Sequence, residues 1–426
     1  MKTKFVGLFC LATLIPNAWA YNIVERARLI DDKFKTLEMM KPYGHNFFTD
    51  ISAVVSTDTM DLRDDADRIE GIDSGNTDDD IDQVNTILRP YYNQEQVLRA
   101  NINFGIPLFS FEAMGVSFEP NFRFGGGLLA VLTPQSEQST LTSLIDNLDQ
   151  VPVEVRSALK SCLNALGPAD DGKDLLVLCV QNSTVTQAQV DQVKDVYGVT
   201  KIPYSRSLAT STKETPFIDV YAKVEAKAGL WFDYEKGENF FGTVGLYGLG
   251  RLDIRKKADA LLLLGGGASL DVADNRQINA ALDYRLGYRV DNYTVFAAVE
   301  ELKLAEVSSE DLGAPAYGSS ALIRGHGQAD YRLGAVKLSP YLGFHKRSGY
   351  GLDDGLYIGA DTTMHAWEER FGFTVKTQVD KEHFTLGALA RLWITHIDLT
   401  GKFAVKDEMD GVKLANYYAA NLRFFF

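Results

Sequence analysis

Residues 217–234 alternate without a break. Ile218, Val220, Ala222, Val224, Ala226, Ala228, Leu230, Phe232 and Tyr234 fall on one side; Asp219, Tyr221, Lys223, Glu225, Lys227, Gly229, Trp231 and Asp233 fall on the other. A period of two is that of a β-strand. The run is longer than the roughly 3–10 residues of most strands in soluble sheets. Its two faces also differ in kind. One is apolar and rich in alanine, as lipid contact tolerates. The other places long charged side chains in mid-strand, where a packed soluble core would exclude them and a polar lumen accepts them. A sheet in lipid can have no open edge, so such strands must close into a barrel. A soluble secreted β-protein is the competing reading.

The same rule recurs along the chain. Ile278, Ala280, Leu282, Tyr284, Leu286, Tyr288 and Val290 oppose Gln277, Asn279, Asp283, Arg285 and Arg289. Strand runs are predicted at 46–56, 97–108, 116–132, 217–234, 240–254, 260–272, 277–290, 293–304, 321–333, 336–347, 356–364, 370–379, 384–396 and 413–426. Turns are expected at Ala113-Met114-Gly115, Lys236-Gly237-Glu238, Asp274-Asn275-Arg276 and Asp291-Asn292. The fold class is therefore all-β: a transmembrane, antiparallel, up-and-down barrel of about fourteen strands. An even number returns both ends to one side, the periplasmic one in bacterial barrels. It also puts 58–82, the insert described below and a loop at 398–411 together on the outer side.

The non-strand parts come next. Residues 1–20 have a basic start, a short apolar run and Ala18-Trp19-Ala20, the pattern of a secretory signal cleaved before Tyr21. Residues 21–45 read as a helix with Ile30, Phe34 and Leu37 on one face, stopped by Pro42-Tyr43-Gly44. It is either a periplasmic helix or a plug in the lumen. The barrel proper is assigned to 46–426. Within it, 58–96 begins with eleven acids between Asp58 and Asp82 and is expected to be a solvated loop; the spacing does not match a calcium loop. Residues 135–215 form an insert with helical stretches at 139–148, 155–166 and 186–197. It holds Cys162 and Cys179, which in an exported chain most simply form one disulfide.

Composition narrows the function classes. The formal net charge is −14, and loss of Lys2 and Lys4 with the signal makes it two units more negative. Such acidity argues against a nucleic-acid partner. There is no Gly-x-Ser-x-Gly elbow. The glycines of 245–250 and 265–267 lie inside strand runs and read as close strand packing rather than phosphate loops. His326 and His345 read as lumen filling. No enzyme, metal or cofactor is expected.

The inward face is the candidate site. Arg99, Arg123, Lys223, Lys227, Arg285, Arg289, Arg324, Arg332, Arg370, Lys376, Arg391 and Arg423 are assigned to the lumen, against Glu119, Glu225, Asp233, Asp283 and Asp330. Two readings stand: an ion-paired, closed lumen that stiffens the wall, or a conduit favouring anionic solutes.

The last run sharpens the class. Leu414, Asn416, Tyr418, Ala420, Leu422, Phe424 and Phe426 share one face, and the sequence stops on Phe424-Phe425-Phe426. The signal-like start, the amphipathic hairpins and this ending resemble Gram-negative outer-membrane β-barrel proteins. In that class Tyr418, Leu422, Phe424 and Phe426 resemble the C-terminal signal read by the barrel-assembly machinery. Fourteen strands after an N-terminal helix are also similar to the long-chain fatty-acid transporter type, although no Asn-Pro plug motif follows Tyr21.

These readings imply a monomer in the outer membrane, with membrane lipid and the assembly machinery as partners. The leading expectation is a porin-like channel for small solutes. The alternatives are a structural or surface-interaction barrel presenting the disulfide-clipped insert, and a lipid transporter.

Overall fold

The computed structural model describes residues 22–39, 48–148, 151–265, 275–311, 320–366, 370–409 and 411–425. The expected signal peptide, the Pro42-Tyr43-Gly44 stop and Phe426 lie outside them.

Fourteen antiparallel strands close into one barrel. They are β1 (Thr49–Ser56), β2 (Gln96–Pro107), β3 (Val116–Ser139), β4 (Lys213–Lys236), β5 (Phe240–Asp259), β6 (Asn275–Val290) and β7 (Tyr293–Asp311). Then come β8 (Leu322–Ala329 and Tyr331–Leu333, interrupted at Asp330), β9 (Val336–Lys346), β10 (Leu356–Ala366), β11 (Phe371–Asp380), β12 (His383–Leu392), β13 (Thr395–Ala404) and β14 (Tyr417–Phe424). Each strand pairs with its sequence neighbours, and β14 closes the ring on β1 from Thr49↔Phe424 to Ser56↔Tyr417. No described helix is long and apolar enough to cross a membrane.

The two ends of the barrel differ. At one end neighbouring strands meet in tight turns. Met114 (φ 55°) and Gly115 (φ 72°) adopt consecutive left-handed conformations between Ala113 and Val116, the geometry that matches strand twist in a two-residue hairpin. At the other end lies a helical cap: α2 (Thr59–Glu70), α3 (Thr77–Leu88), α4 (Leu141–Asp146), α5 (Val153–Leu163), α6 (Leu175–Gln181), α7 (Gln187–Tyr197), α8 (Arg206–Thr210) and α9 (Ala260–Leu264). The cap has its own core, from Leu62, Ile81, Val84 and Leu88 through Leu144, Leu159 and Leu175 to Val193 and Leu262. Cys162 and Cys179 are disulfide-bonded inside it.

The wall is uneven. β3 and β4 each run 24 residues, whereas β1 and β14 run 8. A 24-residue strand spans roughly 80 Å, far more than the ~25 Å apolar band of such barrels. The surplus rises above the short side, and Ile218 and Val220 of β4 join the cap core there. The outward face of the wall is apolar: Leu98, Ile102, Phe124, Leu230, Leu246, Ile278, Ile323, Leu342, Ile358 and Leu386 are all exposed. Near the turn end Phe48, Phe109, Phe240, Tyr293, Tyr331 and Trp393 are exposed, the aromatic rim found where a barrel meets the headgroups.

Several expectations need correction. The acidic stretch 58–82 is not a loop but contains α2 and the first half of α3. Asn76 caps α3 by accepting from the Asp78 N–H, and Asp78, Asp79 and Asp80 occupy its first turn, where the helix dipole favours negative charge. Leu62, Ile69, Ile81, Val84 and Leu88 then bury the apolar face. The run expected at 260–272 does not begin as a strand: β5 continues to Asp259 and Ala260–Leu264 is helical, while 266–272 lie outside the described residues. Run 384–396 is two strands, parted by a turn at Trp393 (φ 56°) and Ile394. The two errors cancel in the count of fourteen. β13 reaches Ala404, so the loop placed at 398–411 starts later. Asn275 and Arg276 begin β6 rather than form a turn. The insert is bounded by Ser139 and Lys213, slightly inside 135–215. The closing strand starts at Tyr417, and its second partner is β13.

Candidate functional site

The N-terminal helix α1 (Ile23–Met39) lies inside the barrel, so of its two expected placements the structure has the plug. Asn22 starts it by accepting a hydrogen bond from the Val24 N–H at 3.1 Å. Ile23, Ala27, Ile30 and Phe34 repeat at helical spacing and pack on Val54, Val97, Leu129, Val131, Tyr221 and Tyr417 of the wall. This is an amphipathic helix turned against the inner surface of strands.

Its remaining faces are charged, with Arg28, Asp31, Asp32 and Lys33 buried and Arg26, Lys35 and Glu38 half-buried. A buried charge is tolerated only when paired and hydrogen-bonded, and each of these has partners in the wall. Arg26 Nε donates to Glu95 Oε1 at 2.8 Å, and its Nη1 to Glu382 Oε1 at 2.5 Å. Asp31 accepts from Arg99 Nε at 2.9 Å and from Lys223 Nζ at 2.5 Å. Asp32 takes a two-point grip from Arg347. Lys33 Nζ donates to Asp380 at 3.1 Å and Glu382 at 2.7 Å. Lys35 Nζ donates to Glu301 at 2.8 Å. Glu38 accepts from Arg99 Nη1 at 2.6 Å. The partners come from β2, β4, β7, β11 and the loops at the cap end, so α1 is held from several sides.

Between α1 and the turn end is a chamber of about 260 Å³. Asp31, Lys35 and Glu38 of α1 line its roof. Its floor and sides come from residues close to the turn-end tips of their strands, among them Asp50, Asn103, Thr243, Arg285 and Arg423. Gly125 and Gly127 make one wall on β3. A Cβ at Gly127 would stand 1.9 Å from Asn101 Oδ1, so glycine is required for the asparagines to lie across this strand.

Seven of the twelve sequence-assigned basic residues line this chamber: Arg99, Arg123, Lys223, Lys227, Arg285, Arg324 and Arg423. Most meet acids. Arg123 Nη2 donates to Asp233 at 3.0 Å, Lys227 Nζ to Glu301 at 2.9 Å, Arg324 Nη2 to Glu300 at 2.5 Å and Arg423 Nε to Asp50 at 3.0 Å. Arg285 lies 5.1 Å over the Phe296 ring. Arg289, Arg332 and Arg370 are exposed towards the turn end, Arg289 over Phe241 and Arg370 over Trp393. Arg391 is half-buried on β12, opposite His396 of β13. Lys376, from the inward set, pairs with Asp398 at 2.9 Å.

The acids are where sequence reasoning fell short. Eight cationic and seven anionic side chains line the chamber, so its charges are nearly balanced. Asp31 and Glu38 arrive with α1, which no strand pattern could place. Asp50 could have been found: it alternates with Thr49 and Ile51 in the 46–56 run. Glu300 and Glu301 are adjacent and yet both meet inward cations. A regular strand sends neighbours to opposite faces. Here Glu301 has φ 56° and the β6–β7 register shifts near Leu282, so the alternation fails locally.

Other polar groups serve the wall. His326 meets Tyr357 Oη at 3.2 Å and His345 meets Tyr350 Oη at 3.0 Å. Asp380, Glu382 and His383 bring possible ligand atoms within 4.8 Å of one another. Lys33, Lys402 and Arg26 already bind those carboxylates, and three cations are poor company for a metal ion. Tyr418 is exposed on the outward face of β14, and Leu422 and Phe424 are partly so, in the pattern assigned to the assembly signal.

No family model matches the chain, and no curated protein does. Among solved structures it is similar to the transport unit of the autotransporter AIDA-I from Escherichia coli, at 6% identity and a TM-score of 0.34, covering 96% of this chain and 100% of that one. It is similar to the beta domain of the Bordetella autotransporter Brka, at 8% identity and a TM-score of 0.27, covering 90% and 100%. It is also similar to a mutant Rh. blastica porin, at 11% identity and a TM-score of 0.19, covering 89% and 99%. Likeness this distant carries no weight beside the molecule's own geometry. The chain is a closed, fourteen-strand transmembrane β-barrel with a helical cap on one end and its own N-terminal helix inside.

Proposed function

We propose that the protein is an outer-membrane barrel that conducts small solutes, with a preference for anions, once α1 is displaced. The observation behind this is the way α1 is held. One face of it packs on apolar wall residues, but its other faces are held by ion pairs, which can exchange for hydration when the helix moves, and a chamber already lies beneath it. With the short turns in the periplasm, the cap faces outward. Arg289, Arg332 and Arg370 then face the periplasmic mouth and bias it towards anions.

Planar-bilayer recording tests the proposal. The purified chain is expected to show rare, brief openings. A variant lacking residues 22–39 is expected to conduct steadily and to pass chloride more readily than potassium. A correctly folded deletion variant with no conductance would overturn the proposal.

A second reading has its own support. The cap owns a disulfide-linked core, which suits a module that meets a partner outside the cell. Deleting residues 140–212 would then abolish surface-dependent phenotypes while leaving the conductance of the deletion variant above intact.

A further inference from the structure

We propose that Asp380, Glu382 and His383 are a latent site for a divalent transition-metal ion, whose place the Lys33 ammonium of α1 takes in the closed barrel. The inference rests on the conduit reading above, because the site is vacated when α1 moves.

The three residues sit at the tight turn between β11 and β12, at the cap end, with their ligand atoms within 4.8 Å of one another. Asp380 Oδ1 accepts from the Glu382 and His383 N–H groups at 2.9 and 3.0 Å, so the turn keeps its shape without help from α1. His383 points to the ligand. It is wholly buried, and its Nε2 donates to the Ala415 carbonyl at 3.0 Å, a group that only accepts. In the neutral ring the other nitrogen, Nδ1, therefore carries no proton. It has no hydrogen-bond partner among the described residues. It faces Glu382 Oε2 at 3.9 Å and Asp380 Oδ1 at 4.0 Å. Lone pairs turned on one another in a buried place call for a cation between them. Lys33 Nζ supplies it, donating to those same two oxygens at 2.7 and 3.1 Å.

When α1 is displaced, Lys33 and Arg26 go with it. Lys402 stays, but on Asp380 Oδ2, which leaves Oδ1 to the ligand set. Glu382 loses both Arg26 and Lys33, and a carboxylate stripped of its partners in a buried place is costly. One imidazole nitrogen and two carboxylate oxygens are a zinc-type donor set, with a fourth position for water. Magnesium prefers six oxygens. Zinc bonds of about 2.0–2.2 Å set ligands roughly 3.5 Å apart, so the side chains close by about an ångström on the ion. The metal and Lys33 then compete for one position, and the bound metal holds α1 out.

Isothermal titration of the full, untagged, detergent-solubilised chain tests the site, with zinc and magnesium chlorides as probes. Lys33→Ala and Lys33→Ser are each expected to bind one zinc ion per chain at least tenfold more tightly than the parent, and magnesium not measurably. Adding His383→Gln to either should remove that gain. Adding His365→Gln, at the turn end of β10, or Arg276→Gln, in an exposed pair with Glu310, should keep it. Heat-modifiability on gels shows that each variant is folded, and either lysine variant suffices to decide. Equal zinc affinity in parent and lysine variants, or a gain that survives His383→Gln, would overturn the site. Magnesium binding as tight as zinc binding would overturn the transition-metal assignment. In bilayers, zinc should raise the open probability of the full chain severalfold and leave that of His383→Gln unchanged. A conducting barrel indifferent to zinc would overturn the exchange. Titration needs no conductance, so a barrel that never opens can pass it, and one that conducts can fail it.

Discussion

Arg347 grips Asp32 through two parallel hydrogen bonds, Nε to Oδ2 and Nη2 to Oδ1, each 2.9 Å long, and both side chains are wholly buried. The two residues are 315 apart in sequence. One belongs to the helix in the lumen and the other to the loop after β9. Tyr350 Oη adds a third hydrogen bond to Asp32 at 3.0 Å.

Breaking this pair should loosen the plug. Leaving one partner of a buried pair unmatched costs about 3–5 kcal/mol, and each ~1.4 kcal/mol is tenfold in an equilibrium. Asp32→Asn or Arg347→Gln should raise the open probability in bilayers by about a hundredfold or more. The double variant should recover part of the closed state. Single variants as closed as the parent would show that α1 is held elsewhere.

The seam between first and last strands has its own lock. Arg423 and Asn421 of β14 both donate to Asp50 of β1. Arg423→Gln removes a charge-assisted contact worth about 1.5–3 kcal/mol. The temperature at which the barrel loses SDS resistance should fall by several degrees, whereas Arg276→Gln should leave it unchanged.

The disulfide belongs to the cap, not the wall. A cross-link closing a loop of this size, seventeen residues apart, contributes about 3 kcal/mol in the chain-entropy picture. Replacing Cys162 and Cys179 by Ser should speed protease cleavage within 140–212. The heat-modified gel shift of the barrel should persist.

The cap should also fail first at high pH. Burial, reinforced by its hydrogen bond to Asp65, pushes the Tyr91 phenol up from 10.0 to about 12. The unfolded phenol gives up its proton near 10.0 while the folded one keeps it. Tyr91 therefore contributes stability that is present below pH 10 and lost as the pH rises towards 12. Near-UV circular dichroism should show a cap transition in that window, displaced in Tyr91→Phe. Loss of barrel signal at the same pH would count against separate melting.

Much of the barrel could be read from alternation, because one apolar and one polar face per strand is a local pattern. The inward direction of Arg99, Lys223 and Arg423 follows from the same parity. The reading failed where local pattern and local structure part. Residues 260–264 are apolar enough for either a strand or a helix, and only their place beside the cap core decides. Trp393 breaks a continuous-looking run because its backbone turns left-handed, which a bulky aromatic does not announce. The acids of 58–82 obscured two helices whose apolar positions were there to be counted.

The sequence by itself determined that the chain closes into a barrel of about fourteen strands, with charge inside and apolar surface outside. Period-two patterning and the need to satisfy every backbone group in lipid leave few alternatives. Only the tertiary structure decided that α1 fills the lumen and that Asp31, Asp32 and Glu38 neutralise the inward cations. Those pairs join residues up to 315 positions apart. A helix with charged faces reads the same whether water or a ring of opposite charges surrounds it, so its place depends on partners that come together only when the barrel closes.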